Sequence, residues 1–204
     1  MRAGKVSWGI MTVLALFVAL YAGLVLFLPG FGPPFLNEKR LNMPLALYGH
    51  LTGGLIALAL GPWQLSPRLR ASRLNRHRWM GRVYVVAVLV GGLGGLSLAM
   101  RSMFGLVTHM GFGMLALLWL HATAMAWIRI RAGDQPAHWR WMIRSYALTL
   151  AAVTLRIYLP LSSLLQIPFE EAYQAISWFC WVPNIIVAEW IILRRSPPGI
   201  LPVT

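Results

Sequence analysis

A small set of polar side chains could support chemistry inside the apolar segments of this chain or just outside their ends. Imidazole rings ligate haem iron, a buried guanidinium pairs with acid groups, and an intramembrane carboxylate often belongs to a proton path. The candidates are His50, His77, His109, His121, His138, Arg156 and Glu189. A charge at the bilayer centre costs about 2.5–3.5 kcal/mol on insertion scales, so such residues rarely face lipid. We therefore expect them to face the interior of a helical bundle.

Long apolar segments must position these side chains. Hydrophobic residues make up 58% of the 204 residues and charged residues only 11%, whereas soluble domains carry about 25% charged residues. A helix needs about 20 mainly apolar residues to cross a bilayer. Six segments qualify: residues 6–28, 45–65, 83–100, 108–128, 142–164 and 176–193. The sequence predicts an all-α, polytopic transmembrane helical bundle of about six spans, forming a single membrane domain over residues 1–204.

The first apolar segment superficially resembles a secretory signal peptide. It is too long for the apolar region of a signal, and no small-residue cleavage site follows it. The chain instead continues through Pro29 and Gly30 into further prolines. We therefore expect a retained first span.

The net charge of +13 is concentrated between the apolar segments. Fourteen Lys and Arg residues fall on one side of the predicted topology and three on the other, with Arg156 inside a span. The positive-inside rule then places both termini in the cytoplasm. A nucleic-acid-binding face would need a soluble fold to display it, so no nucleic-acid partner is expected. The predicted partners are the lipid bilayer and, for the basic loop at residues 68–82, anionic headgroups at the cytoplasmic face.

Depth along the predicted helices sorts four histidines into two pairs. His50 and His109 lie near the outer ends of spans two and four, which both run inward. His77 and His138 stand at the inner starts of spans three and five, which both run outward. Two imidazoles at one level on facing helices can hold a b-type haem in a bundle. The pattern predicts haem iron between the members of each pair.

Helical phase places further candidates near the outer pair. His138 and Arg156 are eighteen residues apart, about five turns, so a straight span five would carry both on one face. Arg156 and a glycine cluster of span three would then reach the level of His50. Glycine lets a flat macrocycle approach a helix, and a guanidinium pairs with a haem propionate. Arg156 and Arg82 are the predicted propionate partners, and the glycines are Gly91, Gly92, Gly94 and Gly95.

Each candidate also has an ordinary structural interpretation. Glycine clusters more often pack helices together, and histidines at membrane edges are often interfacial polar groups. Arg156 can pair with an acid such as Glu170 or extend toward the headgroups. His121 lies twelve residues from His109 and out of phase with it. It is either a core histidine bonded across helices or a member of the inner layer alongside Glu189.

Other catalytic chemistries have little support in the sequence. The chain has no Gly-rich phosphate loop, no His-Glu-x-x-His motif and no Ser or Cys nucleophile beside a plausible base. Its five carboxylates leave little acid–base machinery. We therefore expect no catalytic residues, and any activity to be haem-dependent electron transfer.

Two motifs resemble a family of small bacterial membrane proteins catalogued as a domain of unknown function. They are His77-Arg78-Trp79-Met80-Gly81-Arg82-Val83-Tyr84 and His138-Trp139-Arg140-Trp141-Met142-Ile143-Arg144-Ser145-Tyr146-Ala147-Leu148-Thr149, and the run from Ala151 to Arg156 adds to them. The resemblance extends over residues 45–158. It implies a multi-pass protein of the bacterial inner membrane and no particular activity.

The architecture also resembles the cytochrome b561 type of electron carrier, in which six helices hold two haems. That resemblance implies His50 with His109, and His77 with His138, as axial pairs. The leading hypothesis is a haem b protein that transfers electrons in the membrane to a partner that the sequence does not identify. The alternatives are a non-catalytic scaffold or assembly protein, and a small transporter of protons or solutes using Arg156, Glu189 and the histidines.

Overall fold

The computed structural model describes residues 2–28, 30–66 and 71–195, with side chains described from residue 6 to residue 194 within those ranges. These residues form helices joined by short turns, and no strand occurs among them. The helices are α1 (Arg2–Phe27), α2 (Phe35–Asn42), α3 (Pro44–Gln64), α4 (Leu74–Ala99), α5 (Leu106–Arg131), α6 (Gln135–Thr149), α7 (Ala151–Leu164), α8 (Phe169–Phe179) and α9 (Val182–Arg195).

Within the described residues, six helical segments are long and apolar enough to cross a membrane, which confirms the predicted fold class. The helices α1, α3, α4 and α5 each form one segment, α6 with α7 forms the fifth, and α8 with α9 forms the sixth. The helices α4, α6 and α8 begin seven to nine residues before the apolar spans predicted from sequence. Their first turns are polar, and hydropathy marks only the part of a helix that suits lipid.

Short connections reverse the direction of consecutive spans, so the bundle has two distinct ends. One end carries the starts of α1, α4 and α6, the ends of α3, α5 and α9, and most of the arginines. We call it the basic end and the opposite one the far end. The predicted cytoplasmic position of both termini corresponds to the basic end facing the cytoplasm.

Spans five and six are each interrupted near the middle. Leu150 separates α6 from α7, and a turn at Cys180 separates α8 from α9. Pro183 lacks the N–H of an ordinary helical residue, which favours the second interruption. Asn184 connects the two, because its Nδ2 lies 3.2 Å from Ala147 O and 3.1 Å from Cys180 O. Backbone carbonyls freed at membrane depth need partners of this kind.

The interruption at Leu150 lies between the two residues of the helical-phase argument. His138 lies on α6 and Arg156 on α7, so their spacing of eighteen residues does not run along one uninterrupted helix. The positions of these residues follow from the way each half-helix packs.

Close packing of α3 against α4 organises the rest of the bundle. A Cβ atom on Gly53 would lie 2.6 Å from Gly91 N, so only glycine permits this approach. Part of the glycine cluster therefore serves helix packing, its ordinary structural role.

Away from the core, large apolar side chains stay exposed at mid-span, as for Phe17 at 69% and Ile186 at 63%. Such an apolar outer surface suits a bilayer.

Candidate intramembrane ligand site

A cavity of about 310 Å³ lies inside the far half of the bundle. All six spans and α2 contribute to its mainly apolar wall. Small-molecule sites occupy about 300–1,000 Å³, so the cavity is at the lower end of that range. Thr149, Ala151 and Cys180 line it at the interruptions of spans five and six. Irregular backbone at membrane depth is tolerated where it is buried or lines a cavity, and in transporters it forms binding sites.

His50 presents its imidazole to this cavity from α3. Its Nδ1 lies 2.9 Å from Gly91 O of α4. A carbonyl oxygen only accepts, so Nδ1 carries the proton and Nε2 of the neutral ring keeps a lone pair. A Cβ atom on Gly95 would lie 2.8 Å from Nδ1. The glycine cluster of α4 thus makes room for the ring and fixes its tautomer.

Arg156 reaches the same cavity from α7. Its Nη1 donates to Ala152 O at 2.9 Å, and its Cζ lies 4.9 Å from the ring centroid of Tyr21. The buried Nε has no hydrogen-bond partner among the described residues. The alternative of a pairing with Glu170 is not formed in the described part of the chain, where the guanidinium instead packs on an aromatic face. Arg156 therefore lines the cavity without an acid partner among the described residues.

The charge of the cavity wall is basic. Lys39 of α2 lines the cavity near the far end, and its Nζ donates to Arg101 O at 2.6 Å. With Arg156 it supplies two cationic side chains, while no Asp or Glu is among the described lining residues. An acid group on a ligand would find attraction here and no competing carboxylate.

A buried cluster of hydroxyl groups closes the cavity toward the basic end. Tyr84 Oη lies 2.9 Å from both Ser145 Oγ and Thr149 Oγ1. Trp119 Nε1 donates to Thr149 Oγ1 at 2.9 Å, and Thr123 Oγ1 lies 2.7 Å from Ser145 Oγ. Each of these side chains is almost fully buried. Since every member has a partner, the cluster stabilises the helix contacts and leaves Arg156 as the unsatisfied group.

The other predicted haem ligands lie outside the cavity wall. His109 Nε2 lies 3.1 Å from Ser102 O at the start of α5. His138 Nδ1 lies 2.8 Å from Ala126 O, which ties α6 to α5 near the basic end. The carbonyl of His77, in the first turn of α4, accepts from Gln64 Nε2 at 3.2 Å. The structure therefore brings His50 together with Arg156 and the glycines, but places neither His109 nor the inner pair in that cavity.

Of the remaining predicted residues, two are exposed on the outside of the bundle and the third forms an ion pair between helices. Arg82 is exposed, with its Cζ 5.9 Å from the ring centroid of Trp79. His121 is exposed and meets the ring of Trp141 edge-on at 5.4 Å. Glu189 accepts from Arg144 Nε at 2.6 Å and Nη2 at 2.8 Å. Glu189 thus forms an ion pair with Arg144 through two hydrogen bonds.

Several residues of the site were not singled out from the sequence. Lys39 was counted only as a topology charge, and Tyr21 as part of an apolar segment. Asn184 carried a usable signal, because it follows a proline in the middle of a predicted span. Tyr84 and its partners carried none, since isolated hydroxyl residues in apolar segments commonly bond within their own helix.

The fold and the cavity define a class: a multi-pass helical membrane protein with a ligand-sized internal site. Residues 47–192 match the family described as "Predicted membrane protein (DUF2306)". The match covers well over half of the chain, and the chain belongs to this family. It confirms the resemblance to an uncharacterised membrane family and extends beyond residue 158. No curated protein and no solved structure matches the chain. The likeness to cytochrome b561 carriers stays a prediction.

Proposed function

We propose that this protein resides in the bacterial inner membrane and binds, within its cavity, an apolar molecule that carries an acidic end group. The observation that supports the proposal is the Arg156 guanidinium, which lines the cavity and has no acid partner among the described residues. An unsatisfied charged donor is costly to bury, and the described lining contains no acid that could satisfy it. A ligand carboxylate would do so.

The expected affinity gain follows from the chemistry of this contact. A hydrogen bond to a charged group contributes about 1.5–3 kcal/mol, which corresponds to roughly ten- to hundredfold in affinity. The apolar wall would bury the rest of the molecule. Lys39 at the far end would attract the acid during entry.

Equilibrium dialysis of the purified protein in mild detergent tests the proposal, with radiolabelled oleate and its methyl ester as probes. We expect the acid to bind at least tenfold more tightly than the neutral ester. Arg156→Met should remove that preference. Arg101→Met is the matched control, because Arg101 is an exposed cation of the same end whose side chain does not line the cavity.

Equal binding of acid and ester by the unmodified protein would contradict the proposal. So would an acid preference that survives in Arg156→Met. A loss of preference in both arginine variants would show that the effect comes from general charge at the far end.

Haem b is a second, more specific candidate, because it is an apolar ring with two carboxylates. The observation that favours it is the tautomer of His50: a histidine that ligates iron usually donates its other ring N–H to a carbonyl or carboxylate. In this arrangement His50 Nε2 would ligate the iron and Arg156 would pair with a propionate. The bound haem would supply one-electron transfer.

An absorption spectrum distinguishes this candidate. Protein expressed with haem supply should show a Soret band that shifts on reduction with dithionite, and His50→Ala should lose it. His121→Ala is the control, since that ring is exposed on the outside of the bundle. A second haem at the inner pair would appear as absorbance lost in His77→Ala or His138→Ala. A colourless protein would end the haem proposal and leave the test with oleate unaffected.

A further inference from the structure

A shallow groove runs along the outer surface between α3 and α4, separate from the internal cavity. Its volume is about 300 Å³, and its sides are Thr52, Gly53 and Ile56 of α3 with Trp79, Arg82, Val83, Val86, Ala87 and Val90 of α4. From Arg82 to Val90 it extends about 12 Å along the helix. Its inner part is apolar and lies at mid-span.

The floor of the groove is helix backbone. Gly53 brings α3 and α4 together so closely that an added Cβ would lie 2.6 Å from Gly91 N. On the α4 side of this contact Val86 is 60% and Val90 46% exposed, and on the α3 side Thr52 is exposed. The shape suits an extended hydrocarbon chain lying parallel to the helices.

The end of the groove toward the basic end is cationic. Arg82 lines it, is exposed, and makes no hydrogen bond to another described residue. Trp79, 66% exposed, lies beside it, at the level where indole rings favour the headgroup region. Further exposed arginines, Arg73, Arg76 and Arg78, lie in the preceding residues. No Asp or Glu is among the described residues that line the groove.

We infer that this groove is a binding site for one anionic phospholipid of the leaflet at the basic end. One acyl chain lies between α3 and α4, and the phosphate accepts from Arg82. Basic pockets between membrane helices bind anionic headgroups in this manner. A neutral lipid would fill the groove but leave the guanidinium without an acid partner.

The thermal midpoint of the full-length protein in mild detergent tests this inference. Phosphatidylglycerol added to the micelles should raise the midpoint by several degrees, and phosphatidylcholine by less than half as much. Arg82→Gln should remove the difference. Arg194→Gln is the control, because Arg194 stacks on Trp190 at 4.0 Å and does not line the groove.

A second pair of variants tests the acyl chain. Val86→Trp fills the groove and should abolish the difference between the two lipids. Leu89→Trp places the same ring at a site 52% exposed outside the groove and should retain it. Native mass spectrometry should show one retained phosphatidylglycerol in the unmodified protein and in Leu89→Trp only. The number of retained lipids shows whether the groove binds phosphatidylglycerol even where a variant is less stable.

Three outcomes would overturn the inference. The first is an unchanged lipid difference in both Arg82→Gln and Val86→Trp. The second is an equal midpoint shift with inorganic phosphate, which has no acyl chain. The third is a dimer of the unmodified protein that Val86→Trp separates, since the groove would then hold a helix of a second copy.

Discussion

Arg144 and Arg156 lie in the same membrane span, yet their charges are stabilised in different ways. Arg144 donates two hydrogen bonds to Glu189, and its Cζ lies 4.5 Å from the ring centroid of Trp141. Arg156 has a carbonyl and an aromatic face but no acid, and its Nε has no partner among the described residues. One arginine is fully paired within the protein and the other is not.

The difference separates a structural charge from a binding charge. A paired charge inside a membrane stabilises the contact between its helices, and its removal leaves the partner unpaired. An unpaired guanidinium beside a cavity has no counterpart to lose. We therefore expect Arg144 to affect the stability of the bundle and Arg156 to affect the binding of a ligand.

Removing one member of the Arg144–Glu189 pair should have the largest effect on stability. We expect Arg144→Met to lower the free energy of unfolding by about 2–3 kcal/mol, because the partly exposed Glu189 carboxylate is left without its partner within a membrane span. Arg156→Met should change it by less than about 1 kcal/mol. Unfolding in mild detergent by titration with dodecyl sulfate measures both.

A double variant sharpens this comparison. Arg144→Met with Glu189→Gln removes both charges and should recover part of the lost stability. If Arg156→Met destabilises the protein as much as Arg144→Met does, then Arg156 is also structural and the distinction fails.

The hydroxyl cluster beside the cavity should give an intermediate effect. Tyr84→Phe removes the group that contacts Ser145 and Thr149, and we expect a loss of about 1–2 kcal/mol in the free energy of unfolding. Tyr48→Phe is the control, because Tyr48 is 42% exposed. Equal effects of the two substitutions would show that the cluster does not hold the helices together.

Glycine substitutions should give the smallest change in stability and a clear change in binding. At Gly95 an added Cβ lies 2.8 Å from His50 Nδ1, whereas at Gly113 it meets nothing within 4 Å. Gly95→Ala should displace the imidazole and weaken binding of oleate or haem several-fold. Gly113→Ala should leave binding unchanged and raise helix stability by up to about 1 kcal/mol. Equal ligand affinities in the two variants would remove His50 from the site.

The amino-acid sequence by itself determined the class of the fold. Apolar segments of about 20 residues have one stable backbone conformation in lipid unless they close into a barrel, so six such segments predict six helical spans. It also indicated that Arg156 and the glycines of α4 reach the level of His50, because depth follows from counting residues along a helix. The positions of Gly91 and Gly95 beside the imidazole agree with that estimate.

Only the tertiary structure decided which polar residues meet. Counting turns assumes uninterrupted helices, and Leu150 interrupts span five between α6 and α7. Glu189 lies against Arg144 and not beside Arg156 because packing of α9 on α6 sets that contact. Hydropathy records how much each residue prefers lipid and contains no information about its neighbour across the bundle. The cavity exists because whole helices leave a gap between them, and no single segment encodes that gap.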